Sequence, residues 1–218
     1  MQLTKKDREL LTWMGQMGYV SCEQVMKKTG VARSAAYWRL HRLVESKYIR
    51  HISYGRYEAG IYATNVFTES GGILLAPLRK ASPYNIRHNL TVVDVSLALS
   101  RQGEWISERE FSAMKRLEGN KEFHCPDGIL VVGNKNIAVE VELMQKSGKR
   151  LRKILQKHNR ARDYDEIWYL VPNERMREKF QDVTREYPSV KVFLLEKVLS
   201  GNEKSAASSA AVQMQGFF

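Results

Sequence analysis

Cysteine is nearly absent from this chain, and so is any long apolar run. The two cysteines, Cys22 and Cys125, stand far apart and form no C-x-x-C pair, which excludes a disulfide framework and a zinc ribbon. Stretches such as "ILLAPL" at 73–78 fall well short of the ~20 residues a membrane helix needs. The opening "MQLTKKDREL" lacks the apolar core of a secretion signal, so the expectation is a cytoplasmic protein with no membrane partner. Neither G-x-x-x-x-G-K-[ST] nor H-E-x-x-H occurs, and His41, His51, His88, His124 and His158 include no H-x-H pair. Phosphate-loop nucleotide hydrolysis, zinc proteolysis and histidine-cluster metal chemistry therefore lack their usual residues.

Acidic residues are scarce relative to basic ones, 24 against 35, for a formal net charge of +11. The imbalance is local: bases outnumber acids 13 to 6 over residues 1–80 and 14 to 8 over 101–162, but not from 163 onward. A positive field so concentrated favours a polyanion, because each phosphate neutralised by Lys or Arg releases counterions.

The first 68 residues have the punctuation of a small helical unit. "TKKDRELLTWMGQM" offers Thr4 as an N-cap and sets Leu10, Leu11, Trp13, Met14 and Met17 at helical spacing. "SCEQVMKKTG" pairs Ser21 with Gln24 as a capping box and ends at Gly30. A third helix follows, with Ala36, Leu40, Leu43 and Val44 forming its apolar stripe. Two short helices, a turn and a longer basic helix match a helix-turn-helix, and the β-forming "IRHISYGRYEAGIYAT" around Gly55 completes a winged helix. The residues expected to meet double-stranded DNA are Arg33, Ser34, Tyr37, Arg39 and Arg42 on the third helix and Arg56 at the wing tip.

Residues 69–85, with Gly71, Gly72, Pro77 and Pro83, read as a linker. A second domain is expected over 86–200: a helix from 86, a strand at "EWISERE", strands at 129–132 and 137–143, a basic helix "SGKRLRKILQKHNRA", then strand, helix and strand. That order implies an α+β fold with helices packed on a mixed sheet. The Ser/Ala-rich residues 201–218 read as a flexible tail.

Three carboxylates stand out in the β-rich hairpin. The turn signal "GNKN" at 133–136 predicts pairing in which opposed residue numbers sum to 269, placing Asp127 opposite Glu142 and Glu140 on the diagonal. Side chains two apart share a strand face, so Asp127, Glu140 and Glu142 all project from one face. Opposed like charges destabilise a sheet and call for a cation. A hard divalent ion, Mg²⁺ or Mn²⁺, suits oxygen ligands held by one or two carboxylates and a backbone carbonyl such as that of Val141.

Pro126-Asp127-Gly128, then Glu140-x-Glu142 on the next strand, then a Lys-rich helix, resembles the variant PD-(D/E)xK nuclease core of plasmid MobC-type relaxases and replication-relaxation proteins, which also carry an N-terminal winged helix. The resemblance covers residues 4 to about 196. It implies a restriction-endonuclease-like domain and a plasmid mobilisation relaxase that binds a transfer origin, nicks one strand with a metal ion and works with accessory mobilisation and coupling proteins. It assigns the metal to Asp127 and Glu140, with Glu142 as a further ligand or water-orienting base. Glu142 stands where that pattern carries lysine; Lys149, or less readily Lys146, would supply the charge. Arg150, Arg152 and Lys153 on the basic helix would then lie along the nucleic-acid path. The second reading is a transcriptional regulator or plasmid replication factor that binds DNA and whose nuclease-like core is degenerate.

Overall fold

Helix α1 (Lys5–Met17) begins where the Thr4 hydroxyl accepts a hydrogen bond from Asp7 N and the Asp7 carboxylate accepts one from Thr4 N, a reciprocal cap that satisfies two otherwise orphaned donors. Ser21 and Gln24 do the same for α2 (Cys22–Thr29), which ends on Gly30 at φ 69°. Helix α3 (Arg33–Glu45) buries Ala36, Leu40 and Leu43. These expected starts and stops are all present in the computed structural model, which describes residues 2–52, 60–78, 82–119, 123–144, 155 and 164–201.

The described residues form seven helices and ten strands in a mixed α+β arrangement, and the chain divides into two units. The first takes Met1–Leu97 and Ser107–Cys125. In it, β1 (Val20–Ser21), β2 (Ile49–Ile52) and β3 (Ile61–Thr64) make an antiparallel sheet in the order β1-β3-β2. The stretch expected to be a linker instead contains a hairpin, β4 (Thr68–Ser70) and β5 (Ile73–Leu75). Gly71 and Gly72 turn it at φ 54° and 81°, the left-handed pair that a two-residue hairpin turn requires.

Helix α4 (Pro83–Leu99) supplies side chains that tie this unit together. Asn89 accepts from Tyr19 N at 2.9 Å and donates to Met17 O at 2.7 Å, while Gln24 Nε2 donates to Leu90 O at 2.7 Å. Helix α5 (Glu108–Leu117) occupies the end of what the sequence reading took as strand. Ser107 and Glu110 cap it reciprocally, and Arg109 reaches back to Gly15 O and Ala76 O. The unit that holds α1 to α3 is therefore not closed at residue 68.

The second unit takes Ala98–Ile106 and Pro126–Phe218. Its core is a five-stranded mixed sheet of β6 (Glu104–Ser107), β7 (Gly128–Val132), β8 (Lys135–Val141), β9 (Glu166–Val171) and β10 (Val190–Leu194), in the order β10-β9-β8-β7-β6. Strands β8, β9 and β10 run parallel, and β7 pairs antiparallel with β8. Ala138, Ile167, Tyr169 and Val171 on one face pack with Leu155 and with Met176 and Phe180 of α6 (Glu174–Thr184). Helix α7 (Leu195–Ser200) follows β10 and ends at Gly201.

Candidate functional site

The β7–β8 turn contains two residues, Gly133 and Asn134, so Val132 pairs with Lys135 and Gly128 with Val139. Gly133 lies at φ 58°, and glycine first in a two-residue turn fixes the hairpin there. The expected register is thereby corrected by two residues. Opposed numbers sum to 267, which places Asp127 level with Glu140 and leaves Glu142 beyond the pairing. The parity of the face survives, since a shift of two returns every side chain to the same side.

Glu140 and Glu142 are buried at 7% and 4% exposure, positions that carboxylates almost never occupy without compensation. Asp127 is half-buried, and its Oδ2 accepts from Val141 N at 2.7 Å. The parallel register sets Glu140 beside Tyr169 of β9, and Tyr169 is fully buried with its ring 5.3 Å from that of Phe180. Burial first, then the charges of Glu140, Glu142 and Asp127, push the Tyr169 phenol far above its ordinary value. It is therefore a neutral hydroxyl at neutral pH. Its oxygen makes no hydrogen bond among the described residues. Sequence reading did not find Tyr169, because the pairing of β8 with β9 spans an intervening segment and leaves no local signal.

Gly128, part of the Pro-Asp-Gly signature, has a packing reason to be glycine. A Cβ there would meet the Trp105 ring at 1.9 Å. The carboxylates lie at the carboxyl end of β8, the end of a strand outside which open α/β sheets bind their ligands. Asp127 and Glu140 are the side chains at this end that could hold a hard divalent ion, which favours carboxylate oxygens. Among the described residues no group of three His, Cys, Asp or Glu side chains is arranged to hold a metal. Lys149, Arg150, Arg152 and Lys153 lie outside the described residues, as does Arg56.

The second candidate surface is the outer face of α3. Ser34, Tyr37, Trp38 and His41 are exposed on it, Tyr37 at 52% and Trp38 at 68%. Their rings are mutual neighbours, with Trp38–His41 centroids 6.1 Å apart and Tyr37–Trp38 centroids 6.5 Å apart. The arginines are arranged differently from one another. Arg33 pairs with Glu23 at 3.0 Å on the surface. Arg42 donates to both oxygens of the fully buried Asp7 at 2.8 Å, and Arg39 Nε lies 3.6 Å from the same carboxylate. Arg39 and Arg42 thus anchor α3 to α1. Burial alone would raise the Asp7 pKa, but hydrogen bonds from Thr4 and the charges of Arg42 and Arg39 outweigh it and hold the carboxyl below its ordinary value. Trp38 escaped the sequence reading because it lies off the Ala36-Leu40-Leu43 stripe, in a position whose exposure only the packing reveals.

Comparison with protein-family models, with curated proteins and with solved structures returned no match. Among the described residues no helix is long and apolar enough to cross a membrane.

Proposed function

We propose that this protein binds double-stranded DNA through a winged helix-turn-helix formed by α1 to α3 and the β1–β3 sheet. We further propose that its second unit is a PD-(D/E)xK-like core serving plasmid mobilisation, a relaxase that nicks one strand at a transfer origin with Mg²⁺ or Mn²⁺. What supports the reading is the burial of Glu140 and Glu142 at the end of β8, where Asp127 accepts from Val141 N, in a chain of net charge +11. Neighbouring carboxylates in a buried setting favour the approach of a cation. A divalent ion held by Asp127 and Glu140 would polarise the scissile phosphate and lower the pKa of an attacking water.

The chain's own residues have separate tasks. Asp127 is oriented by the Val141 amide, which donates to its Oδ2 at 2.7 Å. Glu140 is fixed by its place in the β8–β9 ladder. Glu142, at the end of β8, would orient or deprotonate the water. Tyr169, paired with Glu140 across β8 and β9, would keep that carboxylate in an apolar setting. On α3, Ser34, Tyr37, Trp38 and His41 would meet base edges, and Arg33 a phosphate. Accessory mobilisation and coupling proteins are the partners that this role entails.

A second reading is supported by a specific observation. One Asp127 oxygen is spent on a backbone amide, and no three-ligand group is found among the described residues. That favours a degenerate core in a DNA-binding regulator or plasmid replication factor. Incubating supercoiled plasmid carrying the cognate origin with the protein, with and without Mg²⁺ or Mn²⁺, separates the two. Metal-dependent conversion to open circles supports the nickase, and sequence-specific binding without conversion supports the regulator.

A further inference from the structure

Within the first unit, a recess of about 290 Å³ opens among the three helices. Lys6, Lys28 and Arg39 contribute cations to its walls, and Leu10, Trp13 and Val31 an apolar side. A wider recess of about 600 Å³ shares Trp13 and Lys28 with it and adds Lys5 and Arg8. Lys5, Lys6 and Arg8 sit in the first turn of α1, where the positive end of the helix dipole disfavours cations. Lys5 pairs with Glu9 one turn on and Arg8 donates to Leu3 O, but the dipole gives no reason for Lys6. Glu9 is the one acid lining either recess, and it stands 4.0 Å from Lys5 with both side chains mostly in solvent. Lys28 Nζ lies 5.8 Å from the centre of the Trp13 ring.

A concave site with an aromatic and aliphatic wall on one side and several cations on the other selects a small molecule that is itself divided in this way. We propose that this recess is an effector site for a nucleoside phosphate, with the phosphates at Lys6, Lys28 and Arg39 and the base against Val31 and the small part of Trp13 that is exposed. A duplex is too broad to enter it, so the site is separate from the DNA-binding face of α3. Arg39 links the two. Its Nε lies 3.6 Å from Asp7 while its side chain also lines the recess. An anion bound there draws on the charge that anchors α3 to α1, and binding is thereby coupled to the helix that presents Tyr37 and Trp38. The occupancy of the recess does not rest on the DNA reading; only the coupling does.

The test is calorimetric titration of the full chain with ATP and GTP, with adenosine and inorganic pyrophosphate as probes of the two halves. At least one nucleotide is expected to bind roughly tenfold or more tightly than either half-probe. A Lys6→Glu/Lys28→Glu variant, altered only at exposed positions, is expected to keep its melting temperature and lose about tenfold in nucleotide affinity. Three results would overturn the proposal: no nucleotide binding at about 1 mM, pyrophosphate binding as tight as nucleotide, which would mean mere charge attraction to a basic chain, or unchanged affinity in the variant. Origin-DNA binding, measured separately, reports on the DNA reading whatever the nucleotide does.

Discussion

Arg42 Nη2 lies 2.8 Å from each carboxylate oxygen of Asp7, a side chain with no exposure to solvent. Asp7 is at once the third residue of the α1 capping box and the counter-ion of two α3 arginines. One carboxylate thus sets both the start of α1 and the seating of the helix offered to DNA.

Asp7→Asn is expected to destabilise the protein by about 2 kcal/mol, the cost of losing charge-assisted hydrogen bonds to arginines that are partly in solvent, and Thr4→Ala by about 1 kcal/mol through the cap alone. The pH dependence has a definite sign. Because the folded-state pKa of Asp7 lies below its ordinary value, its contribution is present above about pH 4 and fades as pH falls through the folded-state value. Denaturant melts of wild type and Asp7→Asn from pH 7 down to pH 2.5 should therefore converge at the acid end. Parallel curves would show that the carboxylate charge is not what matters.

The exposed face of α3 should behave oppositely. Trp38→Ala and Tyr37→Ala remove rings that are more than half in solvent, so folding stability should move by less than about 0.5 kcal/mol. DNA affinity should fall by roughly tenfold or more, as loss of a base contact implies. Arg42→Ala should instead lower the melting temperature, since its guanidinium is committed to Asp7. Fluorescence anisotropy with a labelled duplex, alongside thermal melts, distinguishes a contact residue from an anchor.

The helical start of the chain was legible because its signals are local. Thr4, Ser21 with Gln24, and Gly30 act within one turn of where they stand, and each did so as read. Helix α5 was legible in principle, since Ser107-x-x-Glu110 is a capping box of the same kind, but the β-forming "EWIS" ahead of it drew the strand reading too far. The carboxylate face was readable because alternation survives any even slip; the register was not, because it hangs on whether Gly133 or Asn134 begins the turn. Long-range partners left no trace at all. Nothing near Asp7 announces Arg42, 35 residues on, and nothing near Glu140 announces Tyr169.

Gly128→Ala tests how much of the Pro-Asp-Gly signature is packing. The added methyl would meet the Trp105 ring at 1.9 Å, and overpacking of this kind costs about 1–3 kcal/mol. Pairing it with Trp105→Leu should recover part of that loss in a denaturant melt. If recovery in stability leaves metal-dependent nicking intact, the glycine serves the fold and not the chemistry.

The carboxylates themselves separate chemistry from binding. Asp127→Asn and Glu140→Gln keep the shape of each side chain and remove the charge that a divalent ion requires. Neither residue belongs to the unit that carries α3, so specific duplex binding should change by less than about twofold while nicking of an origin plasmid disappears. Mn²⁺ should raise the melting temperature of the wild type, since binding to the folded state alone stabilises it, and should leave both variants unmoved. Without metal the variants should melt at or above the wild type, because neutralising one acid relieves repulsion among three that share a face. Tyr169→Phe provides the control: it removes only a buried hydroxyl that bonds none of the described residues, so both nicking and the Mn²⁺ shift should persist. Nicking retained in Asp127→Asn or Glu140→Gln, with contaminating nuclease excluded, would refute the metal assignment and leave the DNA-binding regulator as the better account.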